Sequence, residues 1–290
     1  MTTKERKIVR KAKGSGRWFP GNRKQLESMV AGYMQDVDIP NISSRIVAGI
    51  APHAGFTYSG KVAGHTFRAI KDSADAGKGP DTVVVLGFSH RGGFPGVALM
   101  DGNAFETPLG EVQLDKEAGE TLAAYSSRLY FNYAPHIGEH SAENEIPFIQ
   151  TALPGVKLVI GLVGDHDPQT LTDLVDAMKE LATKKQILVM ASTDMLHHPN
   201  YQLVSTTDRA TLEKVALMEH AEILKAWDAS KQNFCGIGPV VAVMRFAKSQ
   251  GCKKSTILHY RNSGDDFPES RGDWVVGYSS VIFPVSDEER

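Results

Sequence analysis

Histidines standing just beyond apolar runs are the residues of this chain best suited to chemistry. His53 follows Ile46–Ala51 in Pro52-His53-Ala54-Gly55, and His90 follows Asp81–Leu86 in Gly87-Phe88-Ser89-His90. His166 follows Val156–Val163, and Asp194, His197 and His198 follow Ile187–Ala191. Neutral imidazole is both a metal ligand and, near pH 7, a proton acceptor. His53 and His90 therefore read as candidate metal ligands. His197 reads as a candidate general base, with Asp194 three residues before it to orient its ring. Plainer roles compete: a loop-bonded His53, a capping His90, Asp194 as a helix cap, His198 as structural, and His166 in a solvated turn.

Cys235, in Cys235-Gly236-Ile237-Gly238-Pro239, precedes a helix whose amino end favours thiolate. The spacing leaves it open as a buried inert thiol, a metal ligand or a nucleophile. His140 stands between Glu139 and Glu143 and combines hydrogen-bonding with acid–base capacity. No His-Glu-x-x-His, phosphate-loop or nucleophile-elbow pattern occurs.

The elements that must position these groups alternate. Apolar runs at Ile46–Ala51, Asp81–Leu86, Val156–Val163 and Ile187–Ala191 read as buried parallel strands. A short strand is expected at Val97–Met100, and closing strands at Ser255–Tyr260 and Val275–Phe283, the last of them antiparallel. Helical spacing appears at Gln25–Asp36, Val62–Ile70, Asp115–Leu122, Gln169–Thr183, Thr206–Ala226 and Gly238–Lys248. This pattern predicts an α/β fold: a single domain, residues 1–290, with a mostly parallel central sheet covered by helices on both faces. Residues 1–24 form an arm packed on it through Trp18 and Phe19. Such a sheet brings its strands' carboxyl ends to one rim, where ligands bind.

The chain has 290 residues, 41% of them hydrophobic, and a formal net charge of −2. That is enough for a full core and leaves no polycationic footprint, so neither nucleic acid nor an anionic membrane is an expected partner. Two cysteines make no disulfide framework, and the basic amino end lacks a signal peptide's apolar core. The expectation is a cytoplasmic protein acting on an unknown small molecule or peptide, with protein partners as a further class.

Five motifs in order, Pro52-His53-Ala54-Gly55-Phe56, Leu86-Gly87-Phe88-Ser89-His90, Glu139-His140-Ser141-Ala142-Glu143, Ser192-Thr193-Asp194-Met195-Leu196-His197 and Cys235-Gly236-Ile237-Gly238-Pro239, resemble the Memo family. Trp18-Phe19-Pro20 and Val276-Gly277-Tyr278-Ser279 extend the likeness over nearly the whole chain. The family is similar in fold to class III extradiol ring-cleaving dioxygenases, which hold non-haem Fe(II) with two histidines and a carboxylate. The resemblance implies a metal trio of His53, His90 and Cys235. It also implies His197 as the acid–base group with Asp194 beside it, and His140 in the pocket. Fe(II) is the implied metal, with copper or zinc as alternatives that suit the softer thiolate. Redox or dioxygenase-type activity is one implied function, and an interaction module that captures a peptide or protein in the old cleft is the other. The chain departs from the animal pattern in two places, Arg91-Gly92 after His90 and Met195-Leu196 before His197.

Overall fold

The computed structural model describes residues 7–35, 37–42, 44–228 and 231–285. Over these residues the strands are β1 (Val9–Lys11), β2 (Arg45–Ala51), β3 (Thr82–Phe88), β4 (Val97–Leu99), β5 (Ala104–Thr107), β6 (Gly110–Gln113), β7 (Leu129–Phe131), β8 (Lys157–Val163), β9 (Ile187–Ser192), β10 (His197–His198), β11 (Thr256–Asn262) and β12 (Val275–Val285). The helices are α1 (Arg23–Gln35), α2 (Phe56–Ser73), α3 (Lys116–Tyr125), α4 (Ile146–Ala152), α5 (Pro168–Lys184), α6 (Tyr201–Ala216), α7 (His220–Ala226), α8 (Ile237–Ser249) and α9 (Ser263–Asp266).

Four adjacent strands, β2, β9, β3 and β8, make the centre of a nine-stranded sheet and run parallel. Their side chains alternate between two cores. Val84 and Leu86 pack with Leu174, Met178, Val240 and Phe246 on one face. Val83 and Val85 pack with Leu26, Val30, Phe67 and Phe148 on the other. Both faces are therefore covered, which explains why these strands read as unbroken apolar runs. Register pairs Ala51 with Ser192, and Leu86 with Ala191. The chain thus leaves β2, β9 and β3 on one rim, at neighbouring positions.

Half of the pairings in this sheet are antiparallel, so the expected mostly parallel sheet is in fact mixed, with β7 parallel to β4 at one edge. β12 lies antiparallel to β2, β10 and β11 pair antiparallel with β12, and β4 is antiparallel to β8. A parallel neighbour needs a long crossover. The connection 263–274, holding only the short α9 and one 3₁₀ turn, instead turns β11 back onto β12.

Several boundaries also differ from expectation. The segment read as turns after Asp101 holds the β5–β6 hairpin, which joins β1 in a separate three-stranded sheet. The helix after His53 starts at Phe56 rather than Val62. The helix expected over Thr206–Ala226 begins at Tyr201, capped by the Asn200 side chain, and breaks near Met218, whose φ is +60°. Helix α1 ends at Gln35, and the expected end at Asp36 lies outside the described residues. No helix among the described residues is long and apolar enough to cross a membrane.

Helix α1 can lie close on α2 because glycine stands at the contact. A Cβ at Gly64 would collide with the Tyr33 carbonyl oxygen, a backbone atom that cannot swing away. Gly64→Ala should therefore cost roughly 1–3 kcal/mol through overpacking, read by urea denaturation. A neutral result would mean that α1 shifts freely on α2.

Candidate metal centre

His53 stands two residues beyond β2 and is fixed on three sides. Its N–H donates to Asp194 Oδ1 at 2.9 Å, and its carbonyl accepts from Asn144 Nδ2 at 2.6 Å. Its ring Nδ1 lies 3.2 Å from Ser192 Oγ. That hydroxyl has one proton and three neighbours, because it also meets the Ser141 carbonyl and Glu145 Oε1. Burial holds the Glu145 carboxyl well above the usual range. Ser192 gives its single proton to the Ser141 carbonyl or to Glu145 Oε1, and so accepts from His53 Nδ1–H. This leaves the lone pair of His53 on Nε2.

His90 is set in the same way by a carboxylate. Its Nδ1 is 2.8 Å from Glu139 Oε1, and Glu139 also accepts the N–H groups of His90, His140 and Ser141 at 2.7, 2.8 and 2.9 Å. Burial alone would raise this carboxyl, but the bond and charge of His90 and the backbone donors outweigh it and hold it at about 2. An ionised carboxylate only accepts, so His90 Nδ1 carries the proton and Nε2 is left for a ligand. This is the carboxylate–histidine pairing that orients metal-binding imidazoles.

His140 completes the cluster. Its ring stacks on Trp18 at 4.0 Å and 6°, and on His90 at 4.6 Å and 20°. The His53 ring stands edge-on to both, at 5.2 Å from His90 and 5.5 Å from His140. One ligand atom from each of His53, His90 and His140 lies within 4.8 Å of the others. Burial first, then the neighbouring imidazoles, lowers His53 and His140 to about 3, so both rings are neutral at pH 7 and able to bind a cation. Phe88 packs against His53 and His90 and closes the apolar side.

Cys235 approaches from the amino end of α8, its Sγ 3.6 Å from His53 Nε2. The Asp194 N–H donates to this sulfur at 3.2 Å, and Thr193 Oγ1 lies 3.4 Å from it. The thiolate that a helix end favours is opposed here: burial and then the Asp194 charge push the thiol far up. A cation beside the sulfur would reverse that balance. Asp194 caps no helix, as its carboxylate accepts the N–H groups of His53 and Ala54 at 2.9 and 3.3 Å. His197 is lowered by burial, opposed by Asp194, and its Nε2 is buried with no hydrogen-bond partner among the described residues.

The rim thus gathers His53, His90, His140 and Cys235, with Asp194 and His197 alongside. His166, beyond β8, instead meets Trp227, and His198 Nδ1 accepts the Asn200 N–H. Arg17 and Arg91 are exposed near the cluster. The charge of Arg17 reaches His140, and the Arg91 guanidinium lies over Gly138. Arg261 is elsewhere, paired with Asp266 in a groove of about 1120 Å³ that none of the cluster residues lines. Sequence reading missed Glu145, Ser192 and Asn144 as supports of His53. Asn144 and Glu145 lie in a largely polar stretch, and Ser192 opens the polar run Ser192-Thr193-Asp194, so nothing local singled them out.

The family described as Memo-like protein matches residues 10–282. A MEMO1 family protein of Pyrobaculum aerophilum is 30% identical over 285 residues, 95% of this chain and 99% of that protein. One of Desulfurococcus amylolyticus is 33% identical over 253 residues, 86% of each chain. Another, of Methanopyrus kandleri, is 29% identical and covers 93% of this chain and 96% of its own. Among solved structures, an uncharacterized protein of Escherichia coli K12 superposes with a TM-score of 0.46 at 14% identity, covering 82% of this chain and all of the other. The chain belongs to the Memo-like family.

Proposed function

We propose that this Memo-like chain is a non-haem metalloprotein, fold-related to the extradiol dioxygenases and cytoplasmic, that binds one redox-active metal and transforms a small organic substrate. The observation that carries the reading is the convergence of three imidazoles, two of which, His53 and His90, have their second nitrogens held by other groups. His53 and His90 serve as ligands with Cys235, and His140 lies within reach of the same position. Iron(II), the preferred occupant, would supply Lewis acidity and one-electron chemistry; copper or zinc would suit the same donors.

The chain's own groups do the rest. Ser192 and Glu139 hold Nε2 of His53 and His90 toward the cluster. Phe88 packs its ring on His53 and His90, and Trp18 stacks on the His140 ring. His197, neutral and with a free buried nitrogen, takes or gives the substrate's proton at Nε2, and the Asp194 charge stabilises the imidazolium that results.

The test is metal content and proton release on protein purified without oxygen, for wild type and Cys235→Ser. About one iron per chain is expected in the wild type. Because the free thiol is protonated, ligation by Cys235 releases one proton per metal, and affinity then tightens about tenfold per pH unit. Cys235→Ser should lose that release and bind more weakly. An unchanged variant would leave the metal to the histidines alone. A second reading, capture of a peptide or protein partner in the cleft, is favoured by the two exposed arginines beside it. A folded wild type with no metal would move the weight there.

A further inference from the structure

We infer that Asp208, a residue of α6 outside the metal cluster, is the positioning residue of the segment that carries His197. The inference rests on reading His197 as the proton-transferring group, but its test needs no turnover.

Asp208 is fully buried in the middle of α6 and aims its carboxyl at the chain between β9 and β10. Oδ1 accepts the Leu196 N–H at 3.2 Å, immediately before His197. Oδ2 accepts the Tyr260 hydroxyl at 2.9 Å, and Tyr260 comes from β11. The same segment is tied to β12 on its other side. The Met195 N–H donates to the Gly277 carbonyl at 2.8 Å, and the Gly277 N–H donates to the Leu196 carbonyl at 3.0 Å. A Cβ at Gly277 would overlap Asp208 Oδ2, so glycine there lets the carboxyl come up against the strand.

Met195 and Leu196 therefore bond through both of their N–H groups and the Leu196 carbonyl, to α6 and β12 together. Among the described residues the His197 ring has no hydrogen bond at Nε2 and stands edge-on to Trp274 at 6.1 Å, so its place in the pocket depends on this backbone together with that ring contact. A buried carboxyl is a costly choice for packing alone, and burial pushes this one up to about 7. Its position is explained by the two donors that it joins. Truncation would leave the Leu196 N–H and the Tyr260 hydroxyl buried without an acceptor.

The test uses the full chain as Asp208→Ala, Asp208→Asn and Tyr260→Phe, with histidine ring signals and amide exchange followed by NMR and iron stoichiometry measured in parallel. In Asp208→Ala the Leu196 amide should exchange at least about tenfold faster. The His197 ring, held low by burial, should titrate closer to its ordinary value, while His53 and His140 stay in place and iron remains near one per chain. Asp208→Asn keeps an acceptor for Leu196 and should restore the wild-type signals. Should Asp208→Ala fail to fold, Tyr260→Phe removes one of the two bonds, and a smaller shift of the same sign is expected. His197 signals unmoved in a folded variant would overturn the inference, as would movement of all three rings together. Loss of iron from the wild type itself would count against the metal reading and leave this one standing.

Discussion

His53→Ala is expected to take bound metal from about one ion per chain to nearly none, with the fold retained. The loss of affinity should exceed the roughly 10–100-fold typical of removing a second-layer partner, because a donor is deleted outright. His53 is the member of the cluster with the most invested in its orientation: backbone bonds to Asp194 and Asn144, and a ring nitrogen against Ser192. It is also the imidazole that meets Cys235 as well as His90 and His140. The fold should survive because Ser192 keeps its contacts with Ser141 and Glu145, and the cost is one hydrogen bond and a small cavity, about 1–3 kcal/mol. Metal analysis and urea denaturation on the same sample separate the two effects. Equimolar metal in a folded variant would remove His53 from the ligand set.

The largest stability effect is expected for Phe148→Ala, about 3–5 kcal/mol by urea denaturation. Phe148 is 1% exposed and its ring meets those of Phe56 at 4.9 Å and Phe67 at 5.2 Å, with Tyr33 at 6.5 Å. These rings come from α1, α2 and α4, so the truncation opens a void between three elements that cannot all close on it. Helix α4 follows directly on Glu143-Asn144-Glu145, whose side chains support His53 and the arm that carries Trp18. The variant should therefore also bind metal less tightly. A cost below about 1.5 kcal/mol would mean that the helices repack.

The parallel centre was legible because its strands are buried on both faces, which leaves continuous runs such as Thr82-Val83-Val84-Val85-Leu86. The rim was legible for the same reason, since residues just beyond such runs must share an end of the sheet. The antiparallel flanks were not, because direction there is set by connections and partners rather than by pattern. The β5–β6 hairpin hid in a segment of turn residues, since strands this short have no periodicity to detect. The break at Met218 carries neither glycine nor proline. Convergence in space was the deepest gap. No spacing announces that Arg261 lies with Asp266 while Arg17 acts on His140, or that Asp208 reaches Leu196. Cys235 shows the limit of local reasoning: a helix end favours thiolate, and burial beside Asp194 outweighs it.

The cluster's parts lie far apart along the chain. His53 meets Cys235 across 182 positions, and the Gly14 N–H meets Glu143 across 129. During synthesis no early fragment holds the site, since the helix behind Cys235 must form before the last donor reaches its neighbours. Contacts this distant make folding slow and leave a half-made sheet edge exposed meanwhile. A metal held by this cluster would therefore enter late, once the distant parts of the fold have come together.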